Sequence, residues 1–201
     1  TALVFGNLGA VQLNMGVTGS DAQRLCDLLG ADALNLHLNP LQEAIQVEGD
    51  TNFRDLSLRI AEALEAIEVP VFAKAVGAGI DSTSAQLLAA LPLAGVETAG
   101  VGGTSWSRVE ALRAEDQQTR AIGLALGGLG VPTISSLLSC RDAFPERTVI
   151  ASGGLRSAID MAKALALGAD AVACALPFLK AASEGIDSVL TLIDELIESL
   201  R

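Results

Sequence analysis

Short apolar runs alternate with longer amphipathic segments along the whole chain. This alternation is typical of repeated βα units, in which helices connect the strands of a parallel sheet. The cores of the apolar runs are continuous, as expected for strands that are covered on both faces. We predict six strands, at residues 2–5, 33–38, 69–74, 95–99, 148–152 and 169–175.

Capping residues and apolar spacing predict helices between these strands. The predicted helices run from Ser20 or Asp21 to Gly30, from Asp81 or Ser82 to residue 90, from 157 to 167, and from 186 to 200. Gly168 is placed to end the third of these in the left-handed conformation.

Six parallel strands are awkward by themselves, because a closed (β/α)8 barrel needs eight strands and an open six-stranded sheet would leave its edges bare. The repeated βα units predict the α/β class, and the continuous apolar strands are as expected for a TIM barrel, with helices on one face and the barrel interior on the other, of which this chain would supply about six βα units. Residues 1–201 are expected to form one partial barrel domain. Because the sequence opens inside a predicted strand, we expect the partner strands to lie in a longer parent protein or to be supplied in another way.

Composition narrows the classes of function. Half of the 201 residues are hydrophobic, and the formal net charge is −11, which argues against nucleic-acid binding but allows a small phosphorylated ligand. The apolar runs are too short for a membrane span and no secretory signal is present, so we expect a cytoplasmic protein. Cys26, Cys140 and Cys174 are predicted to be buried free thiols.

Two glycine-rich loops are candidates for anion binding. Residues 100–106, Gly-Val-Gly-Gly-Thr-Ser-Trp, follow the fourth strand and carry three glycines, whereas a plain tight turn needs only one. Residues 152–156, Ser-Gly-Gly-Leu-Arg, lead into a helix whose N-terminal amides we expect to face the ligand. Arg156 can add a bidentate contact to a phosphate. A phosphate held after the last two strands is a recurring arrangement in barrels.

Lys74 ends the third predicted strand. Burying its charge without a partner is costly, so we predict that it contacts an anion or a cofactor. The alternative is that its stem lies on apolar surface and its amine reaches solvent.

Residues 37–50 place the only histidine, two glutamines and two glutamates directly after the second strand. This end of a barrel strand is where chemistry is done, and an oxygen-rich set without thiolates is suited to Mg²⁺. The alternative is a turn with solvated polar residues, and the residues alone leave both readings open.

Three segments together give a more specific result. They are His-Leu-Asn-Pro-Leu-Gln-Glu at 37–43 with Glu-Gly-Asp at 48–50, Gly-Gly-Thr-Ser-Trp at 102–106, and Ala-Ser-Gly-Gly-Leu-Arg at 151–156. With these segments at this spacing, the chain resembles type 2 isopentenyl diphosphate isomerase along essentially all 201 residues.

The resemblance implies an FMN-binding (β/α)8 barrel that interconverts isopentenyl and dimethylallyl diphosphate. It implies reduced FMN, with NADPH as the reductant, Mg²⁺ on the diphosphate, and a homo-oligomer, either a tetramer or an octamer. Gln42 and His37 would be catalytic, Asn39 would bind substrate with them, and Glu43 would hold the metal. The implied FMN contacts are Asn7, Lys74, Gly102, Gly103, Thr104, Gly153, Gly154, Leu155, Arg156, Ala175 and Leu176.

The chain also departs from the family. An amino-terminal region that contacts substrate and flavin, and a terminal segment beyond Arg201, lie outside this sequence. Ala75 replaces a usual glutamate, and Glu97-Thr98 replaces Asp-Val. Two other functions stay open: an oxidoreductase of the hydroxy-acid oxidase type, for which His37 lies too early in the chain, and a catalytically silent barrel fragment that binds flavin or phosphate.

Overall fold

In the computed structural model, which describes residues 2–201, six strands form one parallel sheet whose order in space is their order in the sequence. The strands are β1 (Phe5–Gly9), β2 (Ala33–Leu38), β3 (Val71–Ala75), β4 (Gly95–Glu97), β5 (Thr148–Ala151) and β6 (Ala171–Val172).

Ten α-helices and one 3₁₀ helix connect and follow the strands within residues 2–201. A 3₁₀ helix (Ala10–Met15) and α1 (Gly19–Leu29) follow β1, and α2 (Pro40–Ile45) and α3 (Leu56–Leu64) follow β2. The others are α4 (Ser82–Ala89), α5 (Trp106–Arg113), α6 (Gln117–Ala125), α7 (Thr133–Ala143), α8 (Ala158–Ala166), α9 (Leu176–Glu184) and α10 (Ile186–Leu200).

The strand order identifies the architecture. In a doubly wound sheet the order reverses at a switch point, so that helices cover both faces. Here β1 to β6 follow one another without reversal, and right-handed crossovers then place the helices on one face. A sheet covered on one side only curls into a barrel, and these units are therefore part of an α/β barrel.

Strand register divides the sheet into an apolar face and a polar face. Leu8, Leu36 and Ala73 are aligned across β1 to β3 and are buried in the core under the helices. On the opposite, inner face, His37 is aligned with Lys74, and Lys74 with Glu97. The strands are thus less uniformly apolar than predicted, because this inner row carries the ionisable groups.

Two strand predictions were wrong in their limits. The first strand is Phe5–Gly9 and not residues 2–5. Its pairing with β2 includes Gly6, Asn7 and Gly9, which have low strand propensity and therefore gave no strand signal in the sequence. The last is Ala171–Val172 and not residues 169–175, because its pairing partner β5 ends at Ala151. The other four strands lie within two residues of the predicted limits.

The helix starts follow capping chemistry. Thr18, and not Ser20 or Asp21, caps α1, and Asp21 forms the reciprocal half of its capping box. Asp81 caps α4 and Ser157 caps α8, as predicted. Gly168 has a φ of +102° and follows α8, which fits its predicted left-handed conformation.

At the amino-terminal ends of the strands, two arginines contact the loops that lead into the sheet. Arg147 donates hydrogen bonds to the carbonyls of Ala89, Leu91 and Leu93. Arg141 Nη1 pairs with Asp170 Oδ2 at 2.9 Å. These contacts lie at the end of the sheet opposite to the carboxyl ends of the strands, and they connect the loops at that end to one another.

The three cysteines are free thiols, and Cys26 and Cys140 are buried, as predicted, while Cys174 is partly exposed. Burial raises the pKa of the Cys140 thiol to about 11. Among residues 2–201, none of the helices combines the length and the apolar character that crossing a bilayer requires.

Replacing Leu36 by alanine tests the core under the helices. Leu36 is fully buried, and its truncation should lower the free energy of unfolding by about 2–5 kcal/mol in chemical denaturation. Leu28→Ala is the matched control, because Leu28 is 75% exposed on α1, and it should change stability by no more than about 0.5 kcal/mol. Equal effects of the two substitutions would contradict this core.

Candidate active site

A cavity of about 360 Å³ opens at the carboxyl ends of the strands. It is formed by the loops that follow β3, β4, β5 and β6, which is where barrel enzymes place their active sites. Its lining includes Lys74, Gly103, Thr104, Gly153, Gly154, Leu155, Arg156, Ala175 and Leu176.

The cavity thus brings together every predicted FMN contact except Asn7 and Gly102. Gly102 is adjacent, since Arg156 Nη2 donates to its carbonyl at 3.2 Å. Asn7 does not line this cavity, because it is on β1, at the other side of the sheet from β6.

The two glycine loops pack directly against each other. A Cβ at Gly103 would lie 2.8 Å from the Gly154 nitrogen, and a Cβ at Gly154 would overlap the Gly102 carbonyl. Gly154 also has a φ of +81°. Within residues 2–201, the N–H groups of Gly103 and Gly154 donate to no protein acceptor, and both residues line the cavity, so these N–H groups are candidates for contacts with an anion.

The start of helix α8 is a capping box. Asp160 accepts hydrogen bonds from the N–H groups of Arg156 and Ser157, both at 3.1 Å, and its own N–H donates to the Ser157 hydroxyl at 3.3 Å. The bonds to its carboxylate, and one from the Ser157 hydroxyl, hold the pKa of Asp160 below its usual value. The expectation that the first amides of this helix face a ligand stays a prediction.

Lys74 is paired at the cavity wall. Its Nζ lies 2.9 Å from Oε1 of Glu97, the next residue along the inner row. The same Oε1 accepts a hydrogen bond of 2.6 Å from the Ser152 hydroxyl. The Lys74 side chain is 27% exposed and lines the cavity, so its amine is placed to meet a ligand there, and the predicted contact with an anion or a cofactor stays a prediction.

A second group of polar side chains lies on α2. Asn39 Nδ2 donates to Glu43 Oε1 at 2.7 Å and to Gln42 Oε1 at 3.3 Å. Gln42 Nε2 donates in turn to Oε1 of Glu110 on α5, at 3.0 Å. Glu43 Oε2 accepts from the Asp50 N–H at 2.7 Å. The predicted polar cluster is therefore a hydrogen-bonded network and not a set of solvated side chains.

This network is suited to a cation whose other ligands are oxygens of a bound phosphate and water. Asn39 Oδ1 is buried and has no hydrogen-bond partner within residues 2–201, and a carboxylate that accepts two hydrogen bonds keeps further lone pairs. Within the described chain there is no cluster of three or more His, Cys, Asp or Glu side chains that could hold a metal. Mg²⁺ commonly uses one or two carboxylates together with phosphate oxygens and water, and Glu43 provides one carboxylate of this kind.

His37 lies between the two groups. Its Nδ1 accepts a hydrogen bond of 3.0 Å from Asn7 Nδ2, which leaves the proton of the neutral ring on Nε2. Burial lowers the pKa of His37, nearby Glu43 raises it, and Lys74 lowers it. The neutral ring is therefore favoured, and Asn7 serves to orient it.

Gly77 and Trp106 connect the two groups. They line the cavity of about 360 Å³, here called the large cavity, and also a small one of about 20 Å³ beside Asn39 and Gln42. A side chain at Gly77 would overlap or crowd the Thr104 carbonyl, so glycine is needed where these loops approach each other. Gly77 and Trp106 thus form a shared wall between the large cavity and the small cavity at Asn39 and Gln42.

Three site residues had no role assigned from the sequence. Glu97 could have been found from register, because it ends β4 beside Lys74. Ser152 was noted only as the start of a glycine loop, and its hydroxyl contact is tertiary. Glu110 is 68 residues from Gln42 and has no signal in the sequence.

Comparison with known proteins supports the architecture. A profile described as FMN-dependent dehydrogenase matches residues 128–201. A mutant mandelate oxidase superposes with a TM-score of 0.66 and 20% identity, over 99% of this chain and 57% of the other. GMP reductase of Trypanosoma brucei superposes with a TM-score of 0.55 and 24% identity, over 85% of this chain and 30% of the other. The chain therefore has the fold of part of an α/β TIM barrel.

Sequence similarity is more specific. Over 99% of its length the chain is 52% identical to an isopentenyl-diphosphate delta-isomerase of Synechococcus. It is 45% identical to the protein of that name from Nostoc and 43% identical to that from Oceanobacillus iheyensis. The chain is homologous to isopentenyl-diphosphate delta-isomerases, which confirms the predicted resemblance, and it spans 57–58% of the length of these relatives.

The lowered pKa of His37 predicts a pH dependence. Because the folded-state value lies below the unfolded one, the unfolded chain takes up the proton first as pH falls through about 6.5. The contribution of His37 to stability is therefore full above that pH and is lost as pH falls towards the folded-state pKa. In NMR titration the single histidine should titrate below its ordinary range.

In denaturation experiments, the loss of stability between pH 7.5 and pH 5.5 should be smaller for His37→Gln than for the wild type. A histidine that titrates at or above its ordinary pKa, or an equal loss in both proteins, would contradict the neutral buried ring.

Proposed function

We propose that this protein carries the FMN-binding and substrate-binding part of an enzyme that interconverts isopentenyl diphosphate and dimethylallyl diphosphate. The proposal rests on two groups that adjoin at Gly77 and Trp106: the cavity with Lys74, and the small cavity lined by Asn39 and Gln42. Asn39 is in turn hydrogen-bonded to Glu43. Homology to enzymes of that name supports the reaction class.

FMN fits the large cavity through groups of different chemistry. The free N–H groups of Gly103 and Gly154 and the guanidinium of Arg156 suit a phosphate. Lys74, at the far wall, has two ammonium N–H bonds beyond the one that it gives to Glu97, and these suit acceptors on a flavin ring. Ala175 and Leu176 provide apolar surface beside Arg156.

Moving a double bond by one carbon requires one proton to be added and another to be removed. Reduced FMN, when bound, supplies a group near N5 that holds and releases a proton without net oxidation. We assign the orientation of the substrate to Gln42, Asn39 and His37. Gln42 is itself fixed by its hydrogen bond to Glu110, so its amide is held in one orientation.

Glu43 would hold Mg²⁺ on the substrate diphosphate. Its carboxylate is oriented by Asn39 and by the backbone of Asp50, each at 2.7 Å. A metal held in this way fixes the diphosphate and so positions the short hydrocarbon tail towards the large cavity. His37, kept neutral by burial, would serve as a hydrogen-bonding group at the same mouth.

The remaining parts of the proposal follow from the family resemblance. They are reduction of the flavin by NADPH, assembly into a tetramer or octamer, and a cytoplasmic location. The match to an FMN-dependent dehydrogenase profile favours one rival, oxidation of a hydroxy acid. Against it, the only histidine is on β2 and not after the later strands.

Arg156→Ala tests the phosphate end of the cavity. Loss of a charged hydrogen bond of about 1.5–3 kcal/mol should weaken FMN binding by about 10- to 100-fold. Quenching of Trp106 measures this, since it is the only tryptophan and lines the cavity. Arg201→Ala, an exposed arginine at the end of the chain, should bind as the wild type does. Equal affinity of all three proteins would contradict the assigned phosphate site.

Gln42→Ala and Glu43→Gln test the reaction. With reduced FMN and Mg²⁺, the purified chain, or its full-length parent, should interconvert the two diphosphates, and Gln42→Ala should reduce the rate by about 10²-fold or more. Glu43→Gln should raise the Mg²⁺ concentration for half-maximal rate about tenfold or more, because one anionic ligand is lost. Gln86→Ala, on the exposed side of α4, should leave both values unchanged.

Failure of the protein to convert isopentenyl diphosphate while FMN is bound would contradict the proposed activity and favour a silent flavin-binding fragment. Turnover of a hydroxy acid with reduction of the flavin would instead favour the oxidoreductase.

A further inference from the structure

Glu97 is a buried acid with two donors on one oxygen. It is 7% exposed at the end of β4, and its Oε1 accepts from Lys74 Nζ at 2.9 Å and from Ser152 Oγ at 2.6 Å. A buried carboxylate is costly unless it is paired and hydrogen-bonded. Here both partners come from neighbouring strand ends, and all three residues line the same cavity.

The contact with Lys74 limits where the amine can lie. A lysine side chain has four rotatable carbon-carbon bonds, and a partly exposed lysine without a partner would sample several rotamers into solvent. Strand register places Lys74 directly beside Glu97. One of the three N–H bonds is given to the carboxylate, and the others remain for a ligand in the cavity.

The contact with Ser152 extends the same network to a strained turn. Ser152 Oγ accepts a hydrogen bond of 3.1 Å from the Ala99 N–H while it donates to Glu97. Ala99 has a φ of +35°, which a residue with a Cβ rarely adopts. Its carbonyl accepts from the Gly79 N–H at 3.0 Å. One carboxylate therefore connects the amine to the turn that opens the first glycine loop.

We propose that Glu97 is a positioning residue for the cavity: it holds the Lys74 amine towards the bound flavin and, through Ser152, fixes the Ala99 turn. The identity of the ligand rests on the proposed function. The position of the Lys74 amine does not rest on it, because the hydrogen bonds among Lys74, Glu97 and Ser152 are formed without a ligand.

The first test uses the protein without flavin. Lys74, Lys163 and Lys180 are the only lysines in the sequence, and the last two are exposed, so they serve as internal references in competitive acetylation read by mass spectrometry. In the wild type Lys74 should react more slowly than both. Glu97→Ala should raise its relative rate about threefold or more, and Glu97→Gln, which keeps the acceptor oxygen, should restore most of the protection.

The second test measures FMN affinity. Glu97→Ala should weaken binding about tenfold or more, while Glu97→Gln should stay within about threefold of the wild type. Asp170→Asn is the matched control, because it removes the charge of a carboxylate that is paired with Arg141 at the amino-terminal ends of the strands, away from the cavity. It should lower thermal stability without changing either the acetylation of Lys74 or the affinity for FMN.

Unchanged acetylation of Lys74 in Glu97→Ala would overturn the proposal, and so would an effect of Asp170→Asn equal to that of Glu97→Ala. Loss of affinity in Glu97→Gln as large as in Glu97→Ala would also overturn it, since the hydrogen bonds would then not be responsible. If the wild type fails to bind FMN but acetylation behaves as expected, the proposed function fails and the role of Glu97 stands.

Discussion

The register of the parallel sheet is the constraint on which the rest of this structure depends. Because neighbouring strands are aligned residue by residue, His37, Lys74 and Glu97 form one row across β2, β3 and β4 on the inner face. A slip by one residue would turn these groups towards the helices and bring leucines to the inner face. The burial of Leu36 and its neighbours on the outer face therefore also fixes the polar row, so core packing and site geometry have the same cause.

An acidic protein can hold an anionic ligand here because its charges are separated in space. The formal net charge is −11, yet the buried acids at the site are each engaged: Glu97 by Lys74 and Ser152, Glu110 by Gln42 and Arg113. Interactions of this kind are local, and distant surface acids are screened over about 10 Å at ordinary salt. The free donors that face the cavity therefore matter more for recognition than the total charge does.

The sequence predicted the repeated βα order and most of the site, because periodicity, caps and glycine loops are local signals. It failed where tertiary contacts decide. The first strand, Phe5–Gly9, contains residues that propensity disfavours, and pairing with β2 overrides that preference. The hydrogen bond from Gln42 to Glu110 joins distant segments.

Two positions at which the chain departs from the pattern of the family it resembles lie in different surroundings. Ala75 is buried on the helix-facing side of β3. Glu97, which is aligned with Lys74, lines the cavity. Only the fold shows that one of these changes lies in the core and the other in the site.

A crystal structure of the protein grown with FMN would locate the flavin. We expect one FMN in the large cavity, with its phosphate between Gly103, Gly154 and Arg156 and its ring against Lys74, next to Trp106. Flavin bound at another surface, or a cavity left without flavin at concentrations that saturate binding in solution, would contradict the assignment of this site.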